Sequence, residues 1–277
     1  MSGWRYVLIR SLGRGRHEVI MLIAAGALSP FFFEATPEVR STYVSLGKLV
    51  EDRPMQITFA RAGIDAGDFG RFGVRHWDVS SLTDRRADAH RQTLYHTEFG
   101  PTWQYDLRFS DDWQLKSDLT RSWTIYRGFA AEASNRTYHW CQIDQSLENP
   151  YVVPFYRARK CFRGNDYFYF KTGIRRRFPL FDDFYLTPSV FVEGGSSRNQ
   201  KRVLGARIGG ANWYDGVASV SFRIECGWRI SENFTAFAYV EQYEIVGGDA
   251  RRNVRASAYR CAHEDWTLGG VGLRIRF

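Results

Sequence analysis

The sequence contains long stretches in which every second residue is apolar. In residues 95–109 the odd positions include Phe99 and Trp103, whereas the even positions include Glu98 and Asp106. Side chains on a β-strand point alternately to its two faces. The pattern therefore predicts a strand with one apolar face and one ionic face.

The same period of two returns along the chain, in residues 113–125, 167–178, 184–194, 217–230 and 266–277. Strands of soluble proteins usually have about five or six residues, whereas a tilted strand needs about nine to eleven residues to cross a bilayer. The length of these stretches favours an all-β fold, a transmembrane antiparallel up-and-down β-barrel with its apolar faces toward lipid. A soluble sandwich or lipocalin-like barrel, with the apolar face turned inward, is the alternative.

The connections between these stretches alternate in length, as in barrels with short periplasmic turns and longer outer loops. Short turns are predicted at 110–112, 146–150, 179–183 and 231–233, and longer outer loops at 80–92, 128–136, 195–216 and 247–265, with 163–166 as a short outer loop. Counting back from the C-terminus gives ten strands from about Phe69. Residues 41–50 and 55–63 supply two more. We expect twelve strands, with ten as the alternative, because single bacterial chains close with even numbers.

The first 29 residues resemble a secretory signal peptide. An apolar run at 19–28 follows four arginines and ends in small residues at 24–27. A run of this length is too short for a membrane-spanning helix and fits the apolar core of a signal peptide. We therefore expect a signal peptide at 1–29 and one barrel domain at 30–277. The apolar residues 31–33 allow cleavage as late as about residue 35, and a buried N-terminal helix is the alternative.

Composition agrees with a membrane barrel. Aromatic residues make up 16 % of the chain, yet the mean hydropathy is −0.39. Outer-membrane barrels combine aromatic girdles at the two membrane interfaces with a polar lumen. The net charge of +8 is spread over many segments, which argues against a nucleic-acid-binding face.

The four cysteines do not form a known metal or redox motif. Cys141, Cys161, Cys226 and Cys261 lack CxxC spacing. A disulfide between Cys161 and Cys261 is conceivable if two outer loops meet.

The C-terminal strand carries a resemblance to a known superfamily. Apolar residues alternate with glycine and arginine up to the final Phe277. This end is similar to the C-terminal signal of bacterial outer-membrane β-barrels, which has a glycine, alternating apolar residues and a terminal aromatic residue. The resemblance implies the outer membrane of a Gram-negative bacterium, with its lipids as surroundings. It also implies recognition by the barrel-assembly machinery through Gly272, Leu273, Ile275 and Phe277.

The polar strand faces predict the residues that line the lumen and set its selectivity. The basic members are Arg108, Lys116, Lys171, Arg175, Arg177, Arg223, Arg229, Arg274 and Arg276, and the acidic members are Glu98, Asp106, Asp118, Glu193, Glu225 and Glu241. Nine basic residues against six acidic ones would favour small anions if the lumen is open. If the lumen is closed, the charges pair with each other.

Three functions remain compatible with the sequence. The first is a narrow porin-like channel with a weak anion preference, and the second is a closed structural or surface-binding barrel that uses its outer loops. The third is an outer-membrane hydrolase that uses His96 with Glu98 or Asp106. The sequence has no G-x-S-x-G, P-loop or HExxH motif, and Cys261, His263 and Glu264 are too few for a metal site. It therefore predicts no cofactor, and it leaves the solute unknown.

Overall fold

The computed structural model describes residues 5–7, 23–25, 30–45, 48–51, 53–82, 95–127, 137–163, 167–196, 216–248, 250–251 and 264–277. Twelve long strands form one sheet. They are β1 (Phe31–Arg40), β2 (Met55–Asp65), β3 (Arg71–Ser81), β4 (Tyr95–Arg108), β5 (Gln114–Arg127), β6 (Thr137–Glu148), β7 (Val153–Arg163), β8 (Phe168–Arg175), β9 (Phe184–Gly195), β10 (Gly216–Arg229), β11 (Phe234–Ile245) and β12 (Asp265–Arg276).

Each strand pairs antiparallel with its neighbours, and β12 pairs with β1, so the sheet closes into a barrel. Closure removes the free sheet edges that hydrocarbon could not hydrogen-bond. A short strand, Phe178–Phe181, adds to β9, and a 3₁₀ turn, Gly67–Phe69, joins β2 to β3. Two small hairpins lie outside the barrel sheet, Arg5–Val7 with Ile23–Ala25 and Tyr43–Ser45 with Lys48–Glu51.

The expected all-β barrel of twelve strands is confirmed, but its first strand is not where we predicted it. Residues 41–50 do not form a barrel strand, and Phe31–Arg40 takes that place. The apolar run 31–33 hides the alternation at the start of β1, and Pro37 interrupts a strand pattern in the sequence. Both features made β1 hard to recognise.

The two faces of the strands separate as the alternation predicts. On β4, Phe99 and Trp103 point outward and are 41 % and 40 % exposed, whereas Glu98 and Thr102 point inward and are buried. The outer surface is therefore apolar over the membrane-facing part of the wall. Within the described residues, no helix is long and apolar enough to span a membrane.

The short connections lie at the end of the barrel that holds both Pro30 and Phe277. They are residues 66–70, 109–113, 149–152, 176–183 and 230–233. In barrels of this kind short turns and chain termini face the periplasm. The longer connections at the opposite end fall largely outside the described residues.

The interior contains more aromatic side chains than the sequence suggested. We expected aromatic rings mainly at the membrane interfaces, but Phe191, Tyr243 and Trp266 face inward and are almost fully buried. Their rings contact one another in series, with centroids 6.0 Å apart for Phe191 and Tyr243 and 5.1 Å apart for Tyr243 and Trp266. Ala250, from the helical turn after β11, is buried in the same cluster. The β9–β12 side of the interior is therefore filled by rings.

Inward-facing glycines on β12 accept aromatic rings from β11. A Cβ atom on Gly270 would lie 2.6 Å from the ring of Tyr239, and one on Gly272 would lie 2.6 Å from the ring of Phe237. Aromatic side chains that cover strand glycines help to fix strand register. The glycines of the C-terminal strand thus have a packing role inside this barrel.

The contact between β1 and β12 is incomplete at Pro37. The odd-numbered residues of β1 form the backbone hydrogen bonds to β12. For example, the Phe33 N–H donates to the Phe277 carbonyl at 2.9 Å. Proline has no N–H to donate there. Paired positions are Gly270–Gly272 with Glu38–Arg40 and Ile275–Arg276 with Glu34–Ala35, so the pairing is interrupted between them.

Candidate functional site in the barrel lumen

Fourteen of the fifteen residues assigned to the lumen lie at strand positions whose side chains point inward. The fifteenth, Arg177, follows a strand and stacks on the inward ring of Tyr185. The fifteen residues fall into two groups. Lys171, Arg223, Arg274, Glu98, Asp118, Glu193, Glu225 and Glu241 lie within the barrel and form ion pairs or hydrogen bonds with other inward residues. Arg108, Lys116, Arg175, Arg177, Arg229, Arg276 and Asp106 lie near the periplasmic end and are exposed.

Glu98 is the most buried carboxylate of the interior. Its side chain is 1 % exposed, and it accepts hydrogen bonds from Arg159 at 3.2 Å and Arg75 at 3.5 Å. The Thr124 hydroxyl donates to it at 3.3 Å. The indole N–H of Trp140 donates to Thr124 at 2.7 Å, and the Arg159 guanidinium lies 3.9 Å from the Trp140 ring centroid. One carboxylate thus joins strands β3, β4, β5 and β7.

Several members of this network come from strands whose faces the sequence did not separate. Arg61 on β2 pairs with Asp118, and Arg157 on β7 pairs with Asp144. The predicted lumen list omitted Arg61, Arg157 and Asp144, because β2, β6 and β7 lack a clear alternation. The cross-strand register is the signal that places them. Asp144 lies opposite the predicted lumen residue Asp118, and Arg157 lies opposite Asp144. Arg61 lies opposite Arg75, which contacts Glu98.

Glu193 centres a second network on β8–β11. Its carboxylate accepts from the Lys171 ammonium at 3.0 Å and from the Tyr243 hydroxyl at 3.3 Å. The same ammonium lies 3.4 Å from the ring centroid of Phe191. The charge of Lys171 is therefore held by a carboxylate and an aromatic face.

A third network joins β10 to β11 and β12. Glu225 accepts from Arg223 at 2.7 Å and from Arg274 with both oxygens at 2.8 Å. Arg223 also lies 3.6 Å from Glu241. Nearby, Arg40 donates to Glu38 at 2.6 Å, a pair on β1 that the sequence analysis did not include.

The charged residues that form ion pairs inside the described part of the barrel balance in number. Eight basic residues, Arg40, Arg61, Arg75, Arg157, Arg159, Lys171, Arg223 and Arg274, pair with eight acidic residues, Glu34, Glu38, Glu98, Asp118, Asp144, Glu193, Glu225 and Glu241. The excess of positive charge therefore does not lie among these paired residues; Arg53, buried just before β2, is a further cation outside this set.

The excess lies at the periplasmic mouth. Arg175 pairs with Glu148 at 2.8 Å. Among the described residues, no carboxylate lies within ion-pair distance of five other cations, Arg108, Lys116, Arg177, Arg229 and Arg276. Two exposed inward carboxylates at this end have other partners: Asp106 accepts a hydrogen bond from Gln114 at 3.2 Å, and Asp65 pairs with Arg71 at 3.0 Å. We call these five cations the mouth cations.

Two of the residues considered for hydrolysis, Glu98 and Asp106, contact other side chains in the described structure. Two arginines and a threonine already hold the Glu98 carboxylate, and Asp106 contacts Gln114 at the exposed end. The side chain of His96 lies outside the described part. Within the described residues, no three His, Cys, Asp or Glu side chains are arranged to hold a metal ion.

Cys161 is fully buried on the inner face, whereas Cys141 is partly buried and Cys226 is exposed. Cys261 and His263 lie outside the described residues, and so does the bridge considered between Cys161 and Cys261.

The C-terminal residues close the barrel at its periplasmic end. The Phe277 N–H donates to the Phe33 carbonyl at 2.8 Å, and its ring meets that of Phe234 edge-on at 5.8 Å. Ile275 faces outward between Ala35 and Phe234 and is 5 % exposed. The terminal aromatic residue is therefore part of the wall.

No protein-family model matches the chain, and no curated protein matches it. Solved structures of similar shape include the KdgM porin, 12 % identical over 89 % of this chain and 99 % of that chain, with a TM-score of 0.45. The NanC porin is 9 % identical over 88 % of this chain and 98 % of its own, with a TM-score of 0.46. LpxR from Salmonella typhimurium is 9 % identical over 88 % and 99 %, with a TM-score of 0.46.

The architecture is that of a transmembrane β-barrel of the outer-membrane type, as the sequence predicted. Twelve antiparallel strands close on themselves, the outer wall is apolar and the interior is polar and aromatic. Closed barrels with this division of faces suit a membrane, because closure leaves no free sheet edge in hydrocarbon.

Proposed function

We propose that the barrel forms a narrow passage for small solutes with a weak preference for anions. The observation that carries the proposal is the distribution of charge: the inner ion pairs balance, whereas the five mouth cations have no acidic partner among the described residues. Charges at a pore mouth raise the local concentration of the opposite ion. Selectivity is therefore assigned to the periplasmic mouth and not to Lys171, Arg223 and Arg274.

Single-channel conductance of the refolded protein in a planar bilayer tests the proposal. Ion selectivity is read from the reversal potential under a salt gradient. We expect a small steady conductance and a reversal potential whose sign indicates a preference for anions. Arg177→Gln should shift this reversal potential toward zero.

Arg176 provides a matched control for this variant. It is the next residue along the chain, but it lies over the outward ring of Phe178 at 4.9 Å, whereas Arg177 lies over the inward ring of Tyr185 at 3.4 Å. Arg176→Gln removes the same charge outside the lumen and should leave the reversal potential unchanged. Equal shifts for both variants would contradict an origin inside the mouth.

A closed barrel is the second candidate. The buried ring cluster on β9–β12, with Ala250 packed into it, favours this alternative because it fills one side of the interior. A folded, heat-modifiable barrel without conductance would support a closed structural or surface-binding protein, and the outer loops would then be the working surface.

We also infer how the chain reaches the membrane. Residues 1–29 act as a signal peptide, and the barrel-assembly machinery recognises Gly272, Leu273, Ile275 and Phe277 in β12. The support for the first step is that β1 begins at Phe31, immediately after the segment with signal-peptide character. The support for the second is the resemblance of the final strand to the known assembly signal.

A further inference from the structure

Two arginines contact one inward ring at the periplasmic mouth, and a third arginine ends the neighbouring strand. Tyr185 on β9 points inward and is 7 % exposed. The Arg177 guanidinium lies 3.4 Å from its ring centroid, and Arg274 donates to its hydroxyl at 2.9 Å. Arg229 ends strand β10 on the same side of the barrel.

The ring holds its position because β10 has a glycine beneath it. A Cβ atom on Gly227 would lie 2.0 Å from the Tyr185 ring, so only glycine leaves room for the ring to lie across β10. In that position the hydroxyl of Tyr185 reaches Arg274 on β12. The arrangement is therefore built by packing and does not depend on flexible surface side chains alone.

Arg274 pairs with Glu225, but Arg177 and Arg229 have no ion-pair partner among the described residues. The Glu225 carboxylate already accepts a hydrogen bond from Arg223, and both of its oxygens accept from Arg274. Asp182 and Asp183 lie in the adjacent exposed turn, but within the described residues neither forms an ion pair with Arg177 or Arg229.

Partial burial lowers the pKa of Arg177. Tyr185 and Glu225 raise that pKa, whereas the positive charges of Arg229 and Arg274 lower it further. Like charges that converge destabilise one another unless an opposite charge lies between them. Guanidinium groups bind carboxylate and phosphate oxygens with paired hydrogen bonds.

We propose that Arg177 and Arg229, together with Arg274 on Tyr185, form a binding site for a small oxyanion, the carboxylate or phosphate group of a solute. Both Arg177 and Arg229 are exposed, so the site opens to the periplasmic end. The proposal deepens the anion preference assigned to the mouth, but the site forms whether or not the lumen conducts.

Calorimetric titration of inorganic phosphate into the refolded full barrel, in a non-ionic detergent at constant NaCl, tests the site. We expect saturable binding with one phosphate per chain. Arg177→Gln and Arg229→Gln should each lower the affinity about tenfold or more, because each removes a charge-assisted contact.

Arg108→Gln is the matched control. Arg108 is also an exposed inward cation at the same end, but it lies on β4, on the far side of the barrel. The Arg108→Gln variant should lower the phosphate affinity by less than about threefold, because it changes only the long-range electrostatic potential at the site. Arg229→Lys separates charge from geometry, because it keeps the charge and loses the planar pair of donors.

Two results would overturn the site: no saturable phosphate binding to the wild-type barrel, or equal losses for Arg108→Gln and Arg229→Gln. Heat-modifiability of each variant shows that it is folded. Because the titration does not need an open lumen, its failure is distinguishable from a failure of the channel. Repeating it in nanodiscs with and without phosphatidylglycerol identifies the source of the oxyanion, since competition by the lipid would assign the site to a lipid headgroup.

Discussion

Removal of the Glu98 carboxylate is the most direct test of the interior network. Glu98→Gln keeps the shape of the side chain but leaves Arg75 and Arg159, whose side chains are each 8 % exposed, without their shared counter-charge. Breaking a buried ion pair by removing one partner typically costs about 3–5 kcal/mol, because an uncompensated charge stays buried. We expect a loss of this size, at the upper end because two cations depend on one carboxylate.

The free energy of unfolding is measured by urea titration of the refolded barrel in lipid vesicles, with heat-modifiability as the check on folding. Glu148→Gln is the control. Its contact with Arg175 is shorter, 2.8 Å, but the two side chains are 30 % and 43 % exposed. An exposed pair contributes about 0.2–1 kcal/mol, so the control should lose no more than that.

A loss below about 1 kcal/mol for Glu98→Gln would refute the reasoning, since a buried pair cannot then be holding four strands together. The same conclusion would follow if both variants lost equal stability, because burial and not distance is what separates them. Addition of Arg159→Gln to Glu98→Gln should recover part of the loss, because it removes one of the two uncompensated charges.

Other predictions concern packing and processing. Gly227→Ala should cost about 1–3 kcal/mol in the urea titration because the new Cβ displaces the Tyr185 ring, whereas Gly269→Ala, with the nearest atom at 3.6 Å, should be neutral or stabilising. Deletion of Phe277 should lower the amount of folded barrel in the outer membrane, while Phe277→Trp should preserve it. Mass spectrometry of the mature protein should place its N-terminus before Phe31, because later cleavage would remove part of β1; a mature chain that starts within the strand would contradict the assigned closure.

The sequence predicted the barrel wherever one face of a strand is consistently apolar. In β4 and β10 the inward and outward residues could be assigned directly, because hydrocarbon on one side and ionic groups on the other impose a strict period of two. β1 was missed because Phe32 faces inward, in conflict with the rule that apolar residues face lipid, and because Pro37 is unusual within a strand.

Residues of the candidate site could be predicted individually, but their partners could not. Alternation showed that Arg223 and Arg274 face inward, yet it could not show that Glu225 holds both, because that contact joins strands β10 and β12 across β11. The separation of the balanced inner ion pairs from the charged mouth depends on such contacts. Only the register of all twelve strands reveals it.

The missing hydrogen bond at Pro37 has a consequence for the order in which the barrel assembles. Most strand pairs join neighbours in the sequence, whereas the β1–β12 contact joins residues far apart, as in the hydrogen bond from the Gly269 N–H to the Ser41 side chain. The entropic cost of closing a loop rises with its length, so this strand pair has the largest entropic cost of formation. The β1–β12 pair also has one backbone hydrogen bond fewer, because Pro37 has no N–H. The barrel should therefore close last, and open first, between β1 and β12. Amide hydrogen exchange should be fastest in the residues of β12 that face Pro37.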